Sequence, residues 1–112
     1  MAQSVQQFRS LRIGAPGVGL LAEAAFFVAL ALQHLGTIAA LSGDARRGAT
    51  LLYYVDRWLK AEGVERELTA RRTYELGMCA ALEALGAELA ELSPLGAALS
   101  EEEAIAEARQ VR

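Results

Sequence analysis

The feature that most constrains this chain is a run from Ala24 to Gly43 that holds no charged residue. Apolar surface of that extent has to leave water, either inside a protein core or in a bilayer, whose hydrocarbon layer of ~30 Å the run is long enough to cross. Gln33, His34, Thr37 and Ser42 interrupt it, and Glu23 stands at its start. A secretory signal would set a shorter apolar core soon after a basic start and follow it with a small-residue cleavage site. Here the run begins too late and continues too long. The expectation is a buried helix of a soluble protein without membrane contact. The alternative is a small membrane protein anchored by residues 24–43.

The rest of the chain points to helices. Hydrophobic residues make up 54% of the 112, yet aromatics are only 6%, so Ala and Leu carry the apolar content. Both lose little freedom in a helix, and no run of β-branched and aromatic residues in strict alternation competes. The formal net charge of −3 provides no broad positive field, so direct nucleic-acid binding is not expected. Cys79 is the single cysteine, which fits a reducing cytosol and a cytoplasmic location.

Start and stop signals divide the chain. Ser4 with Gln7 predicts a capped first helix to Ile13, and Gly14 to Gly19 reads as a turn-rich connector. Its glycine spacing resembles a phosphate loop, but Leu20 and Leu21 stand where a lysine and a Ser or Thr would be needed. A second helix is predicted from Leu20 to Ser42, closed by Gly43-Asp44. Asp44 is placed to accept from the amides opening a third helix, Ala45 to Glu62, which ends at Gly63. So short a joint makes the two helices antiparallel neighbours. Thr69 is the predicted cap of a fourth helix reaching Leu92. Its stripe of Tyr74, Met78, Leu82, Leu85, Leu89 and Leu92 predicts a packing seam. After a break at Ser93 to Gly96, Ser100 and Glu103 form a capping box for the last helix. Glu101 to Glu103 suit its positive end, and Arg109 and Arg112 its negative end.

Within this plan, Leu32, Leu35-Gly36, Gly43-Asp44, Gly48, Leu52 and Val55 fall at the intervals of a tetratricopeptide-repeat hairpin. Residues 22–63 resemble such a hairpin, with Gly36 and Gly48 at the crossing. Leu32 replaces a frequent Trp, Ala39 a frequent Tyr, and no proline closes the second helix. The segments 49–56, 67–75 and 96–106 extend the likeness. Residues 22–110 are similar to the C-terminal region of tetratricopeptide-containing bacterial signal ATPases and of LuxR-type or AfsR-type transcription regulators. The resemblance implies an interaction and regulatory module. The ATPase and the helix-turn-helix of those families have no counterpart in these residues. It also implies that Gln33, Thr37 and Ala40 face a ligand groove, flanked by Leu30 and Leu41. Tyr53, Tyr54 and Trp58 join them as partner-binding candidates because amphipathic aromatics suit interfaces. The bland reading of these three is packing against the first or fourth helix.

Chemistry finds little footing. His34 has Leu30 and Ile38 one turn away instead of a carboxylate, and Cys79 has no His nearby in sequence. Glu75 and Glu83 are two turns apart, as on a solvated face. No catalytic, cofactor or metal site is expected. The expected fold is all-α, with antiparallel tetratricopeptide-like hairpins and about five helices in one domain. Its parts are an N-terminal helix and connector (1–19), a hairpin (20–63), and a seam helix with a capping helix (64–112). Because roughly three repeats are normally needed to bury a repeat core, a protein or peptide partner is expected to cover the remaining surface. A homodimer is the first expectation, and a fragment of a longer chain the second.

Overall fold

A computed structural model describes the backbone of residues 16–112 and the side chains from Glu23 onward. The expected helix at 4–13 lies outside the described residues. The described residues are all-helical, in six segments: α1 Pro16–Leu41, α2 Ala45–Glu62, α3 Leu68–Leu85, α4 Glu88–Glu91, α5 Ser93–Ala97 and α6 Glu101–Ala108. The two single-turn segments take the place of any long helix in the last third.

α1 opens earlier than expected. Pro16 to Gly19 are helical, so they belong to α1 and not to a connector. α1 and α2 then form the antiparallel hairpin. The turn bends through Gly43 at φ +103°, and the Asp44 amide donates to the Ala39 carbonyl at 2.8 Å. Asp44 precedes α2, but its carboxylate makes no cap hydrogen bond. It pairs instead with Arg47, one turn into the helix. Gly63 ends α2 in the left-handed conformation, with its N–H turned back to the Lys60 carbonyl.

Where α1 and α2 cross, the backbones all but touch. A β-carbon on Gly48 would lie 2.6 Å from the Gly36 carbonyl oxygen and 2.7 Å from the Ala40 nitrogen. A β-carbon on Gly36 would lie 3.1 Å from the Gly48 oxygen. The expected glycine crossing is therefore present, and the two glycines license it from both sides.

α3 differs from expectation at both ends. Its cap is Glu67, whose carboxylate accepts from the Thr69 N–H at 3.0 Å; Thr69 itself is inside the helix. The helix stops at Leu85 because Gly86 leaves the helical basin at φ +58°, ψ −129°. That bend divides the expected seam. Leu82 stays 55% exposed, while Leu89 and Leu92 swing back and bury against Ala40, Ala49 and Ala81. Residues 93–97, expected as a break, form the single turn α5. It seats closely on α2: a β-carbon on Gly96 would lie 2.5 Å from the Thr50 oxygen. The Ser100–Glu103 capping box is formed in both directions, at 3.1 and 2.9 Å. α6 places Ala104 and Ala108 in a second cluster with Ala29, Leu32, Leu51, Tyr54, Val55 and Leu59.

Candidate partner-binding surface

The inner face of α1 is spent within the chain. Gln33 and Thr37 are only 2% and 4% exposed. The Gln33 amide donates to the Ala70 carbonyl at 3.0 Å, and the Thr37 hydroxyl to the Thr73 carbonyl at 2.9 Å. Both bonds run to α3, which lies against α1 with Gly77 at the closest approach. A β-carbon there would lie 2.6 Å from the Thr37 hydroxyl oxygen. A buried amide or hydroxyl without such partners would cost free energy, so these contacts fix which way α1 faces α3.

Ala40 is buried in the cluster of Ala49, Ala81, Leu89 and Leu92, with Tyr53 packed at its edge. Tyr54 is buried in the other cluster, where Trp58 is half-buried. Burial pushes the Tyr54 hydroxyl pKa up, helped by the charge of Glu101 and opposed by that of Arg57. Gln33, Thr37, Ala40 and Tyr54 thus meet the chain's own helices, and only Tyr53 and Trp58 keep partial access to solvent. The side of α1 turned toward α3 is covered.

Beside Gln33 lies an ionic cluster that no short-range pattern signals. The Arg66 side chain is 11% exposed; its Nη1 donates to Asp56 at 2.8 Å and its Nε to the Gln33 side-chain oxygen at 2.5 Å. Its guanidinium lies 3.9 Å from the centre of the Tyr74 ring, close enough for a cation–π contact. Lys60 reaches the other Asp56 oxygen at 3.0 Å. Burial raises the Asp56 carboxyl pKa, but hydrogen bonds and charge from Arg66 and Lys60 outweigh it and hold the carboxyl below its ordinary value. Burial pushes the Tyr74 hydroxyl up to about 12, with the Asp56 charge adding to the rise and Arg66 opposing it. Arg66 thus joins α1, α2 and α3 from the loop between the last two. Gln33, Asp56, Arg66 and Tyr74 are far apart in sequence, so only the fold brings them together.

Two recesses adjoin these elements. One of ≈ 340 Å³ is bordered by Arg46, Arg47, Thr50, Leu95 and Glu107; here Arg47 is held by Glu107 at 3.0 Å and by Asp44, and Arg46 pairs with Glu88. The other, of ≈ 200 Å³, lies between Phe26, Leu30, Leu59, Arg66 and Ala70. Neither contains His34, which is exposed, and Cys79 is exposed on α3. Among the described residues no three His, Cys, Asp or Glu side chains are grouped to hold a metal ion.

The bare surface is the opposite side of α1. Phe27 is 65% exposed, Leu41 54% and Ile38 38%, with Ala31 and His34 exposed between them. Those residues form one stripe, away from the side that carries Ala29, Gly36 and Ala40. Sequence reasoning placed Leu41 only at the flank of a groove and looked to the wrong side of this helix for bare surface. The charge-free run did hold the signal, because its apolar residues continue around the helix and no single neighbour covers them all. Glu23–Leu41 is also the one helical stretch among the described residues long and apolar enough to cross a membrane, at a mean hydropathy of 1.8. No family model, curated protein or solved structure matches this chain.

Proposed function

We propose that this chain is a non-catalytic protein–protein interaction and regulatory module with a tetratricopeptide-like helical core. The observation that carries the reading is the stacking of a third helix on a glycine-crossed hairpin while the far face of α1 stays bare. Helical repeats grow by such stacking, and each added unit leaves an apolar face for the next surface. The likeness of residues 22–110 to the tails of bacterial transcription regulators supports a regulatory setting, inside such a regulator or derived from one. The first partner is a protein, and the simplest is another copy, in the cytoplasm.

Purification without detergent followed by sedimentation equilibrium tests this. The expected result is a helical protein with a mass that rises toward twice 12.0 kDa with concentration. Its melting temperature should rise as well, because association stabilises by mass action. A monomer up to about 100 μM, a range that reveals micromolar contacts, would remove the self-association part.

The apolar stretch Glu23–Leu41 favours one second reading, a membrane anchor. Against it, Gln33 and Thr37 direct polar groups from the same stretch into bonds with α3. A chain that stays in solution only with detergent would establish the anchor and displace the module.

A further inference from the structure

We propose that two copies of this chain pair through the bare stripe of α1, antiparallel, about a two-fold axis passing near His34. This rests on the self-association reading above and names its surface.

The stripe has the spacing of a helix–helix seam. Phe27, Ala31, His34, Ile38 and Leu41 follow one another at steps of four, three, four and three. A mean step of 3.5 residues is what keeps one line of side chains facing a second helix along a left-handed crossing. The same helix is already engaged on its other side, and all five residues of the stripe are exposed.

The residues also suit a copy of themselves. Phe27 and Leu41 stand seven residues before and seven after His34. An antiparallel partner therefore sets Phe27 of each chain over Leu41 of the other. Small Ala31 then falls near large Ile38, which keeps the axes evenly spaced. This is the self-complementary pattern a two-fold interface requires, in which each contact occurs twice. No charge lies between Ala24 and Leu41, so two chains of net charge −3 bring no like charges together along the seam.

Size sets the strength. The exposed parts of the stripe amount to roughly 400 Å² of largely apolar surface, the scale at which a patch marks an interaction site. Two such patches with their rims bury on the order of 1,000 Å², the lower limit for a specific contact, so a weak dimer is expected. The stripe favours a copy over lipid because His34 sits near its middle. Hydrocarbon would leave the imidazole without a partner, whereas a second His34 can accept from its N–H.

The test uses the 112-residue chain and variants at exposed positions. Ile38→Glu and Ala31→Glu should each weaken dimerisation at least ~100-fold, since each sets a charge into the seam. Circular dichroism should show unchanged helix content. In a Cys79→Ser background, His34→Cys should cross-link to itself on oxidation. Phe27→Cys should cross-link to Leu41→Cys when the two are mixed, and far less to itself.

A dimer that both glutamate variants leave intact would place the contact elsewhere and overturn this inference, while self-association would stand. A wild-type monomer up to about 100 μM would overturn both. Efficient cross-linking of Phe27→Cys to itself would overturn the antiparallel geometry. Binding to phosphatidylcholine vesicles without dimerisation, abolished by Ile38→Glu, would assign the stripe to lipid and overturn the pairing.

Discussion

Where α1 crosses α2, Gly36 and Gly48 face each other and two long helices run past in contact. Where the chain returns to α2, a single glycine, Gly96, sits on Thr50 and Tyr53, and the helix that carries it is only Ser93–Ala97. The two approaches are equally close, but they are reached by different means. The hairpin is set locally, by a short turn through Gly43 and by the stop at Gly63. The second approach depends on Gly86, which breaks α3 and returns Leu89, Leu92 and Gly96 toward α2. A long helix holds its register by its own hydrogen bonds, whereas a single turn is held only by what it packs against.

Adding a methyl group at each crossing gives the most severe test of that comparison. Gly48→Ala should lower stability by about 3 kcal/mol, since rigid backbone lies on both sides of the new β-carbon. Gly96→Ala should cost about 2 kcal/mol, because the short α5 can shift although its β-carbon would meet the Thr50 oxygen at 2.5 Å. Urea unfolding of both variants checks this, and a Gly96→Ala chain as stable as wild type would show that α5 is loosely seated.

The ionic cluster reports on the junction between the hairpin and α3. Asp56→Ala should destabilise by about 2 kcal/mol, because it leaves the Arg66 guanidinium largely buried with its charge uncompensated. The same variant should flatten the acid limb of the stability curve. A carboxyl held below its ordinary 3.8 contributes stability above that value and loses it as pH falls through the lower folded value. Urea titrations between about pH 5 and pH 2 would show it.

Gly86→Ala should cost about 1 kcal/mol with no clash to relieve, since its positive φ disfavours a side chain. Ser100→Ala removes the capping box of α6 and should cost about 1 kcal/mol or slightly less. Thermal melts of these two variants would rank the local contributions to the second region. The smallest effect is expected for Tyr74→Phe, which keeps the ring against Arg66. At pH 7 it should melt close to wild type. Because the Tyr74 hydroxyl is raised from 10.0 to about 12, the unfolded chain ionises first, so wild-type stability falls as pH rises from about 10 toward 12, and the variant should lack that decline.

The sequence carried the turn and the second helix of the hairpin almost to the residue, but not the start of α1. α2 runs from Ala45 to Glu62 as its flanking Asp44 and Gly63 indicate, and the Ser100–Glu103 box opens α6. These are local signals, acting within a turn or two, so a linear reading captures them. The C-terminal limit of α3 was not legible because the heptad-like stripe runs on through Gly86, and one glycine inside a helical pattern does not show whether its φ will turn positive. The side of α1 chosen as the binding groove followed family likeness, while Gln33 and Thr37 were claimed by carbonyls of Ala70 and Thr73, over thirty residues away.

What the sequence by itself determined, then, is the helical class, the glycine crossing of α1 and α2, and an apolar α1 too rich for one neighbour to cover. Only the tertiary structure decided which side is left bare. Helical periodicity sorts residues into faces, but it assigns no partner to a face. That choice fell to α3, whose Gly77 and whose Ala70 and Thr73 carbonyls took the side with Gln33 and Thr37 and left Phe27, Ile38 and Leu41 outside.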